Sequence, residues 1–249
     1  MDDAFPRLVQ RYLPAQRLIH WIGVASFVAL LLSGFALLVP PFAFLAAGGL
    51  SRLIHRVAAI PFVALPIVYA VVLPRETLEL LRESFTYPRE DWEWFKRMPA
   101  YVLGRTGGLP PQGRLNPGQR LHHAGTFLMF LTISGSGCAL WIGSGRLGAN
   151  GLAAVAMVHD LSLLGLTVLL IGHVYFTFLY DAFSAMGTGF VTEEYARMEH
   201  GRWVEALPVE AFAGEPARSK VANPAEKDTT PPAGVRPGTQ PSQTNRHER

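Results

Sequence analysis

Four long stretches without a charged residue constrain the fold of this chain more than any other feature. They cover residues 18–51, 57–74, 121–145 and 161–180. A helix rises 1.5 Å per residue, so about 20 mostly apolar residues cross the roughly 30 Å hydrocarbon core of a bilayer. All 22 Lys and Arg and all 19 Asp and Glu residues lie elsewhere in the 249-residue chain. We therefore expect an integral membrane protein rather than a water-soluble domain.

The limits of the apolar stretches predict four transmembrane helices. Helix I is expected at Leu18–Val39, helix II at Leu53–Leu73, helix III at Arg120–Ile142 and helix IV at Leu152–Tyr180. A cleavable signal peptide explains helix I less well, because its apolar run is longer than the usual ~7–15 residues. The predicted fold class is all-α, an integral membrane four-helix bundle.

The distribution of basic residues predicts how the helices are oriented. Lys and Arg concentrate in loops that stay in the cytoplasm. Every basic residue except Arg52, Arg56 and Arg146 lies before helix I, between helices II and III, or after helix IV. Both termini are therefore expected to be cytoplasmic.

The predicted helices and their orientation divide the chain into segments. Residues 1–17 form a cytoplasmic N-terminal segment, 18–180 the membrane domain, and 181–213 a cytoplasmic post-helix segment. The cytoplasmic connection 74–119 is expected either to lie on the membrane surface or to be a solvated loop. Residues 214–249 are rich in Pro, Ser, Thr, Gln and charge, and they contain no Phe, Trp or Tyr. Such a composition cannot repay the entropy of folding, so we expect a disordered tail.

The cysteine content limits which cofactors are possible. Cys138 is the only cysteine in the sequence. This excludes a disulfide framework, a Cys-rich zinc or iron–sulfur site, and the C-x-x-C-H attachment of c-type haem. Any redox cofactor must be held by other side chains.

The tetrapeptide Arg-Leu-Ile-His occurs twice, at 17–20 and at 52–55, where helices I and II begin. Residues three apart share a helix face, so each arginine lies one turn outward from a histidine at the apolar boundary. That arrangement suits a haem, since imidazole binds the iron and guanidinium pairs with a propionate. The alternative is an interfacial arginine beside a structural histidine. A looser version, Arg120-Leu-His122-His123, opens helix III.

Helix IV carries two further histidines, His159 and His173, which are 14 residues apart. That separation is a rise of about 21 Å, and it returns both rings to nearly the same side of the helix. Interhelical hydrogen bonds would also satisfy two buried histidines. Ionisable groups inside a membrane are nevertheless costly and usually functional.

The predicted topology assigns these histidines to pairs by depth. Helix I enters from the cytoplasm, so His20 lies near the inner surface. Helix II enters from outside, so His55 lies near the outer surface. Helix IV also enters from outside, which places His159 near the outer surface and His173 near the inner one. The expected pairs are His20 with His173 and His55 with His159. Each pair would fill both axial positions of an iron, an arrangement suited to electron transfer. A helix III ligand, His123, is the alternative to His20.

These features resemble the gamma subunit, cytochrome b, of membrane-bound formate dehydrogenases over roughly residues 7–207. Besides the helix IV histidines, the matching pieces are R-L-I-H-W at 17–21, S-R-L-I-H at 51–55, N-P-G-Q at 116–119 and G-T-G-F-V-T-E-E-Y-A-R-M-E-H-G-R-W at 187–203. The chain departs from the family pattern at Arg56, where proline is frequent, and in the pair His122-His123.

The resemblance implies a dihaem subunit in a bacterial inner membrane. Electrons would come from an iron–sulfur beta subunit on the outer side, while a catalytic alpha subunit oxidises formate. Quinone, either menaquinone or ubiquinone, would be reduced near the cytoplasmic side in a pocket containing Asn116, Gly118 and Gln119. With His20, His55, His159 and His173 as ligands, Arg17 and Arg52 would lie beside the two b haems. The expected partners are these subunits, quinone and lipid, and no nucleic acid.

Two other functions fit the same residues. Related cytochromes of nickel–iron hydrogenases and thiosulfate reductases share the general design. A proton-coupled transporter would instead use His159, Asp160 and His173 as a relay. A transporter would be colourless, so visible absorption distinguishes it from a cytochrome.

Overall fold

The computed structural model describes residues 7–180, 182–208 and 211–213. The predicted tail at 214–249 and residues 1–6 of the N-terminal segment lie outside the described residues.

Long helices dominate the described chain. In chain order the helices of six or more residues are α1 Pro14–Leu38, α2 Leu50–Val72, α3 Pro74–Ser84, α4 Glu90–Val102, α5 Pro117–Ile142, α6 Ala149–Leu179, α7 Phe183–Thr188 and α8 Glu193–Glu205. A short helix, Ala43–Ala46, and 3-10 segments at Pro40–Phe42 and Ala47–Gly49 connect α1 to α2. Among the described residues, the helices α1, α2, α5 and α6 are the ones long and apolar enough to cross a membrane. The predicted all-α membrane fold with four spanning helices is confirmed.

Local capping explains why two spanning helices begin earlier than expected. α1 starts at Pro14, where the Gln16 side chain accepts a hydrogen bond from the backbone N–H of Leu13 at 2.8 Å. α5 starts at Pro117, because Asn116 Oδ1 accepts a hydrogen bond from the Gln119 N–H at 2.8 Å. In return, Gln119 Oε1 accepts from the Asn116 N–H at 3.1 Å. This reciprocal arrangement satisfies backbone donors that a helix start leaves open.

The spanning helices expose large apolar side chains and bury small ones. Leu32, Val71 and Ile142 are 67%, 75% and 73% exposed. The buried positions of these helices include Ser26, Ser33, Ala36, Ser51, Ala58, Ala124, Ser136 and Ser162. This distribution is the one expected where lipid covers the outside and small residues let the helices approach closely. α1 packs mainly against α2, and α5 mainly against α6.

A small folded unit joins the two ends of the membrane domain. Its three antiparallel strands are β1 Leu8–Gln10, β2 Phe190–Thr192 and β3 Phe212–Ala213, with β1 in the centre. Val9 pairs with Val191 on one side and with Phe212 on the other. Its buried core consists of Val9, Ala185, Val191, Ala196 and Val204. We call residues 7–12, 182–208 and 211–213 the terminal cap.

The connection between α2 and α5 is folded, with α3 and α4 as its helices. On α4, Trp94 is buried, and the Tyr101 ring stacks on the Tyr180 ring with centroids 4.4 Å apart. The Arg120 guanidinium binds the Asp91 carboxylate at 2.6 Å, and both side chains are largely buried. These contacts fix α4 against the start of α5 and the end of α6. A position on the membrane surface stays a prediction for this connection.

Candidate functional site

The structure brings four histidines together as two facing pairs. The ring centroids of His55 and His159 are 6.3 Å apart, and those of His20 and His173 are 6.4 Å apart. The first pair joins the beginning of α2 to the first half of α6. The second joins the beginning of α1 to the last third of α6. The two pairs therefore lie at different depths of the helical bundle, as topology predicted.

The spacing of each pair suits a metal between the rings. Imidazole nitrogens bind a first-row metal at about 2 Å, so two nitrogens on opposite sides of it are about 4 Å apart. The ring centres lie farther out by one ring radius each, which agrees with the observed distances. In the described part of the chain, no three His, Cys, Asp or Glu side chains form a metal cluster. Each pair is thus suited to a metal whose macrocycle supplies the other ligands.

Serines on neighbouring helices orient His55 and His159, which we call the outer pair after their predicted position; His20 and His173 are the inner pair. Ser33 Oγ lies 3.0 Å from His55 Nδ1, and Ser136 Oγ lies 3.0 Å from His159 Nδ1. Each serine hydroxyl also donates to a backbone carbonyl one turn earlier, at 2.6 Å. The serine oxygen is then left to accept the Nδ1–H of the imidazole. This tautomer leaves Nε2 with a free lone pair, which is the state a metal ligand requires.

Glycines leave the space that these two rings occupy. A Cβ added to Gly34 would lie 3.2 Å from Cε1 of His55. A Cβ added to Gly137 would lie at the same distance from Cε1 of His159. The two contacts are equivalent, so the α1–α2 and α5–α6 hairpins present their histidines in the same way.

The sequence contains a second internal repeat, which accounts for the equivalent surroundings of His55 and His159. S-G-F-A-L occupies residues 33–37 and S-G-C-A-L occupies residues 136–140. Each copy supplies the serine and glycine that hold a histidine of the following helix. A search for internal repeats finds this pair without the structure.

The inner pair has different neighbours. The His173 ring stacks on the His122 ring, with centroids 5.5 Å apart and planes 28° apart. His122 Nε2 is 3.1 Å from the carbonyl oxygen of Leu169. Within the described residues, the buried Nδ1 atoms of His20 and His123 have no hydrogen-bond partner. His20 faces His173 from the opposite helix, whereas His122 lies against it nearly parallel.

The two arginines of the repeated tetrapeptide have different surroundings. The Arg17 guanidinium donates to the carbonyl oxygens of Met186, at 3.2 Å, and Gly187. Arg52 is exposed at the beginning of α2. Arg17 therefore links α1 to the terminal cap, and a propionate contact would require its guanidinium to leave these carbonyls.

A cavity of about 510 Å³ connects the inner pair with the beginning of α5. Its lining includes His20, His173, Asn116, Gly118 and Gln119. The predicted inner site and the predicted quinone residues thus share one space. This volume is within the range of small-molecule sites, about 300–1,000 Å³.

The polar groups at the N-terminus of α5 are closely packed. Asn116 is almost fully buried, and its Nδ2 donates to the Tyr101 hydroxyl at 3.1 Å. A Cβ on Gly118 would lie 2.8 Å from Cη2 of Trp94, so only glycine fits without a shift. The Asn116 amide also hydrogen-bonds to the carboxyl group of Glu199, so the open donor at this end of the cavity is the backbone N–H of Gly118, in the first turn of α5.

A buried carboxyl group lies behind Asn116. The Tyr101 hydroxyl donates to Glu199 Oε2 at 3.0 Å, and Glu199 is 4% exposed. Burial raises the pKa of Glu199, although the hydrogen bonds from Tyr101 and Asn116 act in the opposite direction. Burial also raises the pKa of Tyr101, and the nearby Glu199 carboxylate adds to that effect. Neither residue was among the predicted site residues: Glu199 lies within the matching segment 187–203, to which no role was assigned, and Tyr101 belongs to none of the quoted motifs.

The fold and the paired histidines define a multi-pass membrane protein of the cytochrome b class. Residues 11–189 match the family described as prokaryotic cytochrome b561, and the chain belongs to this family. Membership implies binding of haem b.

Two relatives give the comparison more detail. The formate dehydrogenase cytochrome b556 subunit of Haemophilus influenzae is 25% identical over 205 residues, which cover 79% of this chain and 82% of that protein. The formate dehydrogenase cytochrome b556(fdo) subunit of Escherichia coli K12 is 24% identical over 203 residues, or 78% of this chain and 91% of that protein. The resemblance to formate dehydrogenase cytochrome b subunits is confirmed.

Proposed function

We propose that this chain is the dihaem cytochrome b subunit of a membrane-bound formate dehydrogenase. It carries electrons from an iron–sulfur subunit on the outer side of a bacterial inner membrane to quinone near the cytoplasmic side. Both termini lie in the cytoplasm in this arrangement. The observation that carries the proposal is the presence of two facing histidine pairs, 6.3 and 6.4 Å apart, at different depths.

The outer site is assigned to His55 and His159. Their Nδ1 atoms are engaged by Ser33 and Ser136, so their Nε2 lone pairs are left for iron. His55 and His159 would hold a b haem, which would supply a one-electron redox centre at this site. The site is therefore suited to passing electrons.

The inner site is assigned to His20 and His173. The near-parallel stacking of His122 on His173 does not place a nitrogen of each ring on opposite sides of one metal. His122 Nε2 is also engaged with a backbone carbonyl. The His20 and His173 rings approach each other with centroids 6.4 Å and planes 54° apart. The ring contact of His123 is with His122. These contacts favour α1 over α5 as the source of the second ligand.

The quinone site is assigned to the end of the 510 Å³ cavity next to Asn116, Gly118 and Gln119, and the end lined by His20 and His173 is left to the haem. A quinone has a flat apolar ring and two carbonyl oxygens, so it needs an apolar wall and a few hydrogen-bond donors. The backbone N–H of Gly118, in the first turn of α5, is such a donor, with Asn116 and Gln119 beside it. The same cavity is lined by His20 and His173, which supports electron transfer from the inner redox site to a quinone bound there.

The donor enzyme is assigned from the names of the relatives. A nickel–iron hydrogenase complex or a thiosulfate reductase complex remains an alternative setting for a similar cytochrome. The transporter hypothesis is less favoured, since Asp160 is exposed while the neighbouring His159 faces His55. A relay through these residues would need Asp160 and His159 on the same path.

Two measurements test the proposal. Acid–acetone extraction of the purified protein should release two haem b per chain, and a ratio near one or covalently retained haem would contradict the dihaem assignment. Purification of the chain from its native membrane should also recover a formate-oxidising complex in which formate reduces the haems. If hydrogen reduces the haems and formate does not, the electron donor is a hydrogenase rather than a formate dehydrogenase.

A further inference from the structure

We propose that Glu199 and Tyr101 form a proton path that delivers protons from the cytoplasmic side to the quinone beside Asn116. This inference rests on the proposed function, because it assumes that quinone is reduced in the 510 Å³ cavity. It adds a carboxyl group from the terminal cap to a site otherwise built by the membrane helices.

The first observation is a continuous chain of hydrogen bonds. Asn116 Nδ2 is 3.1 Å from the Tyr101 hydroxyl, which is 3.0 Å from Glu199 Oε2. Tyr101 and Asn116 both line the cavity, and Glu199 lies behind them. A quinone bound against Asn116 and Gly118 in this cavity would thus lie beside the Tyr101 hydroxyl.

The second observation is that Glu199 is incompletely satisfied. Its side chain is 4% exposed, and its Oε1 has no hydrogen-bond partner among the residues that the structure describes. A buried carboxylate with an unpaired oxygen is costly, whereas a carboxylic acid is tolerated. Burial accordingly raises the pKa of Glu199, which favours the protonated form.

The third observation is a second cavity next to the first. It has a volume of about 330 Å³ and is lined in part by the polar side chains of Thr106, Ser184 and Thr192. Tyr180, Val191 and Tyr195 line both cavities and therefore lie between them. Glu199 is one helical turn after Tyr195 on α8. Water in the second cavity would approach Glu199 from the side of the terminal cap.

The proton balance follows from these positions. The O–H bond of the Glu199 carboxyl breaks as its proton passes to the Tyr101 oxygen, and the Tyr101 O–H bond breaks as its proton passes to a quinone oxygen. Electrons reach the quinone from the inner redox site of the proposed function. Reduction of one quinone to quinol takes two electrons and two protons. Glu199 is reprotonated by water from the cytoplasmic side after each transfer.

The test compares two oxidants of the same reduced protein. The full-length, haem-loaded protein is reduced with dithionite and mixed in a stopped flow with menadione, whose reduction takes up protons, or with ferricyanide, whose reduction does not. Glu199→Gln removes the acidic proton, and Tyr101→Phe removes the hydroxyl. Glu205→Gln is the matched control, because Glu205 is exposed on the same helix. Glu199→Asp keeps a carboxyl group.

We expect Glu199→Gln and Tyr101→Phe to slow reoxidation by menadione about a hundredfold, a typical contribution of a positioned proton donor. Reoxidation by ferricyanide should be unchanged in both. Glu205→Gln should match the wild type, and Glu199→Asp should recover part of the lost rate.

The outcomes separate this inference from the proposed function. A wild-type protein that lacks haem, or that menadione cannot reoxidise, contradicts the proposed function itself. If menadione reoxidises the wild type and Glu199→Gln at the same rate, the proton path is overturned. Equal slowing with both oxidants also overturns it, because that result indicates a structural role. If Glu199→Gln does not retain haem, Tyr101→Phe provides the test: slower reoxidation by menadione with unchanged reoxidation by ferricyanide supports the proton path, and any other result overturns it.

Discussion

His55 and His159 lie opposite each other with ring centroids 6.3 Å apart, and each is held by a serine of the preceding spanning helix. Ser33 orients His55 and Ser136 orients His159 through equivalent 3.0 Å contacts. The outer site is therefore made by two copies of one helical hairpin. The inner site is not, because its rings come from the first and last spanning helices.

The first prediction concerns pairs of alanine variants. His55→Ala and His159→Ala should each lower the haem-to-protein ratio from about two to about one and remove the same spectral component. His20→Ala and His173→Ala should each remove the other component. Loss of one axial imidazole leaves a weakly held iron, so both members of a pair should behave alike. Reduced-minus-oxidised spectra with haem extraction provide the measurement.

The assignment of the inner pair has its own control. If His123→Ala reproduces the loss seen in His173→Ala while His20→Ala keeps both haems, α5 supplies the inner ligand. The proposed pairing predicts the reverse result.

The second prediction concerns the glycines against the outer rings. Gly137→Ala places a Cβ 3.2 Å from Cε1 of His159, so the ring must shift from its present position. We expect weaker retention of the outer haem and a changed reduction potential, measured by redox titration. Gly135→Ala is the matched control on the same helix, since no atom lies within 4 Å of its Cβ. An unchanged potential in Gly137→Ala would show that the ring position does not depend on this glycine.

The spanning helices and the pairing of His20 with His173 were predictable because both follow from apolar length and topology. A run of uncharged residues sets the depth of each histidine, and alternating helix direction sets which histidines meet. The structure has helices where the sequence predicted them, but two of them begin earlier, at Pro14 instead of Leu18 and at Pro117 instead of Arg120. Those starts depend on capping contacts of Gln16 and Gln119, which hydropathy does not detect.

The terminal cap and the Glu199 contact were not predictable from local patterns. Val9 pairs with Val191 between β1 and β2, and these strands of three residues are too short to show an alternation of apolar and polar side chains. Glu199 meets Tyr101 although 98 positions separate them in the chain. Ser33 and Ser136 were detectable in principle, because their S-G-x-A-L context repeats.

The third prediction concerns Asn116, which has two roles. Its Oδ1 caps α5, and its Nδ2 faces Tyr101 and the cavity. Asn116→Ala should leave both haems bound and reducible but slow their reoxidation by quinone, as measured by stopped flow. Loss of the cap should also destabilise the protein by about 1 kcal/mol. Asn116→Ser keeps a capping oxygen and removes the amide donor, so it should restore stability but not the quinone rate. A normal rate in both variants would exclude Asn116 from the quinone site.

The last prediction concerns His200 in the terminal cap. Its ring is fully buried, with Nδ1 donating to the Gly113 carbonyl at 3.0 Å and Nε2 accepting from Arg11 at 3.4 Å. Burial, and secondly the Arg11 charge, lower the pKa of His200 from 6.5 to about 3. Between these pH values the unfolded chain binds a proton that the folded cap does not. Stability therefore rises with pH through this window and is lost as the pH falls below 6.5.

For this one group the loss between pH 7 and pH 5 should be about 2 kcal/mol. Thermal unfolding followed by tryptophan fluorescence reports on the cap, because Trp203 packs against its core. The wild-type midpoint should fall on acidification, and His200→Gln, which has no titrating ring, should show a smaller fall from a lower starting value. Equal pH dependence in the two proteins would mean that another group controls the acid sensitivity.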